Sequence, residues 1–358
     1  LGNGIDPFET LEKYGPDATR WYMITNAQPW DNLKFDVDGI VEVQRKFFGT
    51  LYNTYSFFAL YANIDGFRYE ESEIELGNRP EIDRWIISKL NSLISDVDAA
   101  YDAYEPTKAG RLIQEFVSDQ LSNWYVRLCR RRFWKGEYAQ DKIAAYQTLY
   151  ECLLAISKLG APIAPFFMDK LYRDLTLATQ SEKFESVHLA DFPQCVEKYV
   201  DKSLESKMEK AQTISSLVLS LRKKEMIKVR QPLQKVMIPI LEESQRAEIE
   251  AVSDLIKAEV NVKEIELLDD ASGVLVKQIK PNFKTLGPRF GKDMGLISKE
   301  IQNLNQEQIN QIEKMYIEPS IENRLRNKYQ ALIVKGVQVP TWMIQKQYNE
   351  SNSIANIN

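Results

Sequence analysis

The sequence predicts a mostly α protein, an antiparallel helical bundle followed by a small α+β domain. Three observations carry that reading. Proline and glycine are sparse, 14 and 15 among 358 residues, so few positions can break a helix. Long stretches repeat apolar residues at three- and four-residue spacing, the period of an amphipathic helix. After Pro232 the pattern changes to short apolar runs separated by turn residues, the signature of strands. The length is too great for one small core and suits two or three domains.

Residues 1–35 read as a compact irregular segment. Pro7 to Tyr14 is a short helix capped by Asp6, with an acidic first turn that suits the helix dipole. Gly15 and Pro16 stop it, and Asp17 is expected to cap a second helix, ATRWYMITN. Residues 36–195 read as the bundle. Its first helix, 36–66, carries Val37, Ile40, Val41, Phe47, Phe48, Leu51, Tyr55, Phe58 and Tyr61, apolar coverage broad enough for burial on more than one side. The polar stretch Arg68 to Pro80 is a loop. A helix follows from Glu81 to Tyr104, then one from Pro106 to near Gly136, one from Asp141 to Leu159 and one from Pro165 to Leu175. Short connections between long helices imply antiparallel neighbours.

Residues 196–231 form a linking helix that ends in Arg222, Lys223 and Lys224. Residues 232–300 read as an α+β unit: a strand at 235–241, a helix at 245–260, and strands at 263–269 and 274–280 joined by a turn of Asp270, Ser272 and Gly273. A polar helix is expected from Ile297 to Met315. Beyond it Asn, Gln and Ser rise, and 301–358 is read as a helix with a loosely docked or poorly ordered tail.

Net charge is −5, so the chain is not a general polyanion binder and any basic surface is local. Cys129, Cys152 and Cys195 lie far apart, which fits reduced thiols in a cytosolic protein and shows no zinc spacing. A single histidine, His188, removes multi-histidine metal sites and is read as a packing or turn residue. No apolar run reaches membrane-spanning length and no signal peptide opens the chain. There is no Gly-rich phosphate loop, and no Ser/His/Asp or Cys/His set can be built. No catalytic or metal-binding residue is assigned.

The stretch Asn123 to Trp134, NWYVRLCRRRFW, is the strongest local signal. At helical spacing Val117, Leu121, Trp124, Tyr125 and Leu128 share a core-seeking face, with Arg127 and Arg131 along its edge. Arginine binds phosphate through its fork, and an aromatic beside it can stack on an unstacked base. Trp124, Arg127, Arg130, Arg131, Arg132 and Lys135 are therefore the first candidate RNA contacts. The bland alternative is a solvated face, or arginines paired with acids such as Asp119. Lys223, Lys224, Lys228 and Arg230 are the second cluster, shared between dipole neutralisation and phosphate contact. Lys284, Arg289 and Lys292, in a glycine-rich loop, are the third. Phe283 and Phe290 beside them are read as burying under the sheet rather than stacking.

The opening LGNGIDPFETLEKYGPDATRWYMI resembles the segment directly after the KMSKS signature loop of class I aminoacyl-tRNA synthetases, through Gly2 and Asn3, Asp6 and Pro7, and Tyr14, Gly15, Asp17 and Arg20. Pro16 stands where that pattern has a small residue. The stretches WDNLKFD, RKFFGTLYNTYSFFALYANIDGF, EIDRWIISKLNSL, LSNWYVRLCRRRFW and LGAPIAPFF resemble the anticodon-binding helices of the isoleucyl-tRNA synthetases. KVRQPLQKVMIPI and EVNVKEIELLD resemble the junction domain after them.

The resemblance implies a piece of an enzyme that joins isoleucine to its tRNA with ATP and magnesium. Catalytic and editing domains would lie upstream, and this part would hold isoleucine tRNA without catalysing the reaction itself. Residues 1–35 would contact the stem of the tRNA. A cytoplasmic monomer, away from any membrane, is expected. The alternatives are the same region of a valyl or leucyl enzyme, or a helical scaffold for a protein partner with no RNA involved.

Overall fold

The computed structural model describes residues 4–135, 137–240, 243–268, 277–281, 283, 288, 290–304, 308, 331–334, 337–340 and 344–348. The chain divides into two compact units, Leu1–Met208 and Glu209–Asn358.

The first unit opens with α1 (Pro7–Tyr14) and α2 (Pro16–Asn26). Asp6 caps α1, its carboxylate accepting from the N–H groups of Phe8 and Glu9. Gly15 closes α1 and opens α2 at φ +82, a left-handed conformation that favours glycine. These helices are tied to the bundle by specific bonds. The Gln44 amide donates to the Tyr14 carbonyl at 2.7 Å, and Trp21 Nε1 donates to Gln114 at 3.2 Å. Arg111 donates to the terminal carbonyls of α2, Thr25 and Asn26. That supplies the cation which the last turn of α2 lacks in its own sequence.

The bundle consists of α3 (Val37–Val43), α4 (Gly49–Asp65), α5 (Glu81–Asp102), α6 (Pro106–Glu115), α7 (Arg127–Trp134), α8 (Gln140–Gly160) and α9 (Pro165–Thr179). Two joints depart from the regular helices expected. Gln44–Phe48 and Phe116–Val126 are π-helical, with wider i→i+5 turns. Val126 shows the consequence. Nine residues from Val117, it would face away from it at 3.6 residues per turn. The wider turn brings it back, and both are buried. On the first bundle helix Val41 is exposed and Tyr55 and Tyr61 are half-buried, so its apolar coverage is less complete than its sequence implies.

Loop 67–80 is pinned rather than slack. Arg79 is buried and donates to Ile74 O, Thr148 and Glu151 at 2.8–3.0 Å. His188 lies exposed in the short turn Val187–Leu189.

Helix α10 (Lys202–Lys224) leads to strand β1 (Leu233–Pro239). Then come α11 (Glu243–Ala251), α12 (Ser253–Val260) and β2 (Val262–Leu268), and β1 pairs with β2 in parallel from Leu233↔Val262 to Pro239↔Leu268. The expected hairpin does not form. Strand β3 (Lys277–Pro281) pairs antiparallel with β6 (Ile344–Tyr348), not with β2. Its expected turn, Asp270, Ser272 and Gly273, lies outside the described residues. Helix α13 is short, Met294–Gln302. Strands β4 (Ala331–Val334) and β5 (Val337–Pro340) pair antiparallel. The Asn- and Gln-rich tail thus carries strands, contrary to expectation; β6 is paired by β3 from far along the chain, which overrides weak local preference, while β4 and β5 pair with each other.

Among the described residues no helix is long and apolar enough to cross a membrane.

Candidate nucleic-acid interface

Regular α-helix resumes at Arg127, directly after the π-helical stretch. From there Arg127, Arg130, Arg131 and Trp134 follow i, i+3, i+4, i+7 spacing and form one stripe. All four are exposed, and Lys135 beyond them is exposed too. Arg127 donates to the Asn123 carbonyl at 2.8 Å, and its guanidinium lies 5.8 Å from the Trp124 ring centre. Arg130 lies 5.9 Å over the Phe57 ring. Aromatic contacts thus steady two of the three guanidinium groups.

Arg132 faces the other way and must be withdrawn as an RNA contact. Its fork meets Asp83 at 2.6 and 2.7 Å, and it also reaches Asp141 Oδ2 at 3.1 Å. Asp83 is fully buried and accepts a further bond from the Tyr125 hydroxyl at 2.8 Å. The partners are Asp83 and Asp141 rather than Asp119. Burial pushes the neighbouring Cys129 thiol up to about 12 and the Tyr125 hydroxyl well above its ordinary value. Both therefore stay neutral at pH 7 and leave the carboxylate as the partner of Arg132. This pair bolts the start of α5 to α7 and aims the exposed stripe outward.

Trp124 is also corrected. It is 5 % exposed, so no base can stack on it. The exposed aromatic of the stretch is Trp134, at 49 %. Sequence spacing contains this answer, since 130, 131 and 134 are helical neighbours and Trp124 already shares the core-seeking face of Val117 and Leu121.

In the second unit, Lys223, Lys224, Lys228 and Arg230 are all exposed around the end of α10 and the loop to β1. Lys292 is exposed in the short turn Gly291–Asp293, whereas Lys284 and Arg289 lie outside the described residues. Phe283 is 60 % exposed and Phe290 half-buried, so Phe283 is not covered by the sheet as expected.

Residues 83–238 match the family described as the anticodon-binding domain of tRNA ligase. An isoleucine–tRNA ligase of Bacteroides thetaiotaomicron is 61 % identical over 314 residues, 88 % of this chain and 27 % of that protein. The Cytophaga hutchinsonii isoleucine–tRNA ligase is 62 % identical over 89 % of this chain and 29 % of its own length. The chain belongs to the isoleucine–tRNA ligase family. It spans little more than a quarter of those relatives. A more distant isoleucine–tRNA ligase, from Clostridium tetani, is 40 % identical over 88 % of the chain.

The anticodon-binding domain begins at Asp83 and takes in α7 with its stripe and the basic end of α10. Lys292 falls outside it. Among the described residues of this ligase-family chain no group of three or more His, Cys, Asp or Glu side chains is placed to hold a metal ion.

Proposed function

We propose that this chain is the tRNA-holding part of an isoleucine–tRNA ligase, with isoleucine tRNA as its partner and residues 36–195 as the anticodon-binding bundle. One observation carries the reading: Arg127, Arg130, Arg131 and Trp134 form an exposed stripe inside the matched anticodon-binding domain. Guanidinium forks take phosphates, and Trp134 offers a face to an unstacked base. Lys135 extends the stripe, while Lys223, Lys224, Lys228, Arg230 and Lys292 add phosphate contacts from the second unit. Activation of isoleucine with ATP and magnesium, and its transfer to tRNA, belong to the whole enzyme, a cytoplasmic monomer on this reading. The 358-residue chain alone is expected neither to exchange pyrophosphate with ATP nor to charge tRNA.

The test is tRNA binding as a function of salt. Each phosphate contact releases counterions, so affinity should fall steeply as salt rises. Replacing Arg127 and Arg131 by Gln should weaken binding and flatten the salt slope by roughly one unit per lost contact. Trp134→Ala should weaken binding with the slope unchanged. Unaltered binding in both the Arg127→Gln/Arg131→Gln double variant and Trp134→Ala would leave the protein-scaffold reading standing instead.

A further inference from the structure

Helix α10 closes with paired backbone bonds. The Ile227 N–H donates to Arg222 O at 2.8 Å and the Met226 N–H to Lys223 O at 3.2 Å. This closure places Met226 at φ +58. The left-handed position after a helix is where glycine is favoured, because a side chain there crowds the backbone. Here it holds a methionine that is 88 % exposed, so packing within the chain does little to offset the strain. An exposed side chain held in this conformation raises the question of function, which its surroundings decide.

The surroundings indicate which function. Lys223, Lys224, Lys228 and Arg230 are exposed around Met226, and Val229 beside them is exposed as well. The loop is held in shape by Arg222, which is 1 % exposed. Its guanidinium donates to Lys228 O, Gln231 O and Asn261 O at 3.0–3.1 Å. The Asn261 side chain donates to Val229 O at 2.9 Å. Carbonyls rather than a carboxylate surround this cation, so its charge adds to the local positive field. Tyr104 provides the contrast. It ends α5 with the same pair of bonds, at φ +57 and 86 % exposed. Asp102 and Glu105 flank it, and a polyanion would be repelled there.

We propose that Met226 is an RNA-contact residue, held out by the rigid Arg222 loop to receive the face of one unstacked nucleotide whose flanking phosphates lie on Lys223, Lys228 and Arg230. A polarisable thioether suits a base face, and single-stranded RNA presents such faces. The inference rests on the tRNA-holding reading above.

Met226→Gly separates contact from architecture, because glycine fits the left-handed backbone better. In the 358-residue chain it should leave the thermal midpoint unchanged or raised. Affinity for a labelled isoleucine tRNA transcript should fall about fivefold, equal to the low end for a base stacked on an aromatic side chain. The salt slope and binding to a fully paired RNA duplex should not change. Tyr104→Gly should leave tRNA affinity unchanged. Lys228→Gln with Arg230→Gln should flatten the slope. The inference is overturned, and the broader reading kept, if Met226→Gly binds tRNA normally while the double variant flattens the slope. A lowered midpoint accompanying the loss would overturn it in favour of a structural role for Met226. Equal loss on duplex RNA would overturn the unstacked-base assignment. If the double variant and the Arg127/Arg131 variant both bind tRNA normally, the tRNA-holding reading itself falls.

Discussion

The Asp17 carboxylate, in the first turn of α2, accepts a 2.6 Å hydrogen bond from the backbone N–H of Phe167, 150 residues further along the chain. Phe167 is the third residue of α9, and the residue before that helix, Ala164, has no side chain able to cap it. Asp17 thus supplies from α2 the cap that α9 lacks, while also holding Arg20 at 3.2 Å.

Loss of this cap should be measurable. Asp17→Ala removes an acceptor from a helix start and should cost about 1–2 kcal/mol in urea unfolding, the upper range for a cap. Asp17→Asn keeps an acceptor oxygen and should recover much of that. Equal stability of the Ala variant and the parent would show that water replaces the carboxylate at no cost.

Local sequence makes Asp17 the cap of its own helix, whereas its partner, the Phe167 N–H, is chosen by tertiary packing. Elements with strong periodicity were legible: α5, α8 and α9 lie within a few residues of their expected bounds, and Asp6 caps α1 as expected. The π-helical turns were not legible, because apolar positions at 117, 121, 124 and 125 satisfy a 3.6 period as well as a wider one. Arg132 and Arg131 look alike in sequence; only the position of Asp83 on α5 sends one inward. The pairing of β3 with β6 joins segments too distant for any local pattern to specify.

Arg132 and Asp83 give the sharpest stability test. Arg132→Met leaves a fully buried carboxylate with Tyr125 as its remaining side-chain donor. Breaking a buried pair in this way costs about 3–5 kcal/mol, whereas replacing both partners by apolar residues often costs little. Urea midpoints should therefore drop sharply for Arg132→Met and recover in the Asp83→Leu/Arg132→Met double variant. At temperatures where the single variant stays folded, its tRNA salt slope should equal that of the parent. A flattened slope would return Arg132 to the list of phosphate contacts.

Glu205 predicts how stability depends on pH. Its carboxylate accepts from Ser88 at 2.6 Å, Ser92 at 2.7 Å and Lys202 at 3.2 Å, with Lys89 4.0 Å away. Burial works to raise its pKa, but those hydrogen bonds and the Lys202 charge outweigh burial and hold it below the ordinary value of 4.5. A carboxyl depressed in the folded state contributes stability that is fully present above its unfolded pKa and is lost as pH falls through the folded value. The parent should therefore exceed Glu205→Gln in unfolding free energy at pH 6, and the gap should close as pH drops below about 4.5. Taking the difference between the two proteins cancels Asp17 and Glu151, whose pKa values burial raises and which act in the opposite direction. A gap that stayed constant from pH 6 to pH 3 would mean that the contribution of Glu205 is packing alone and that its three donors do not favour the charged form.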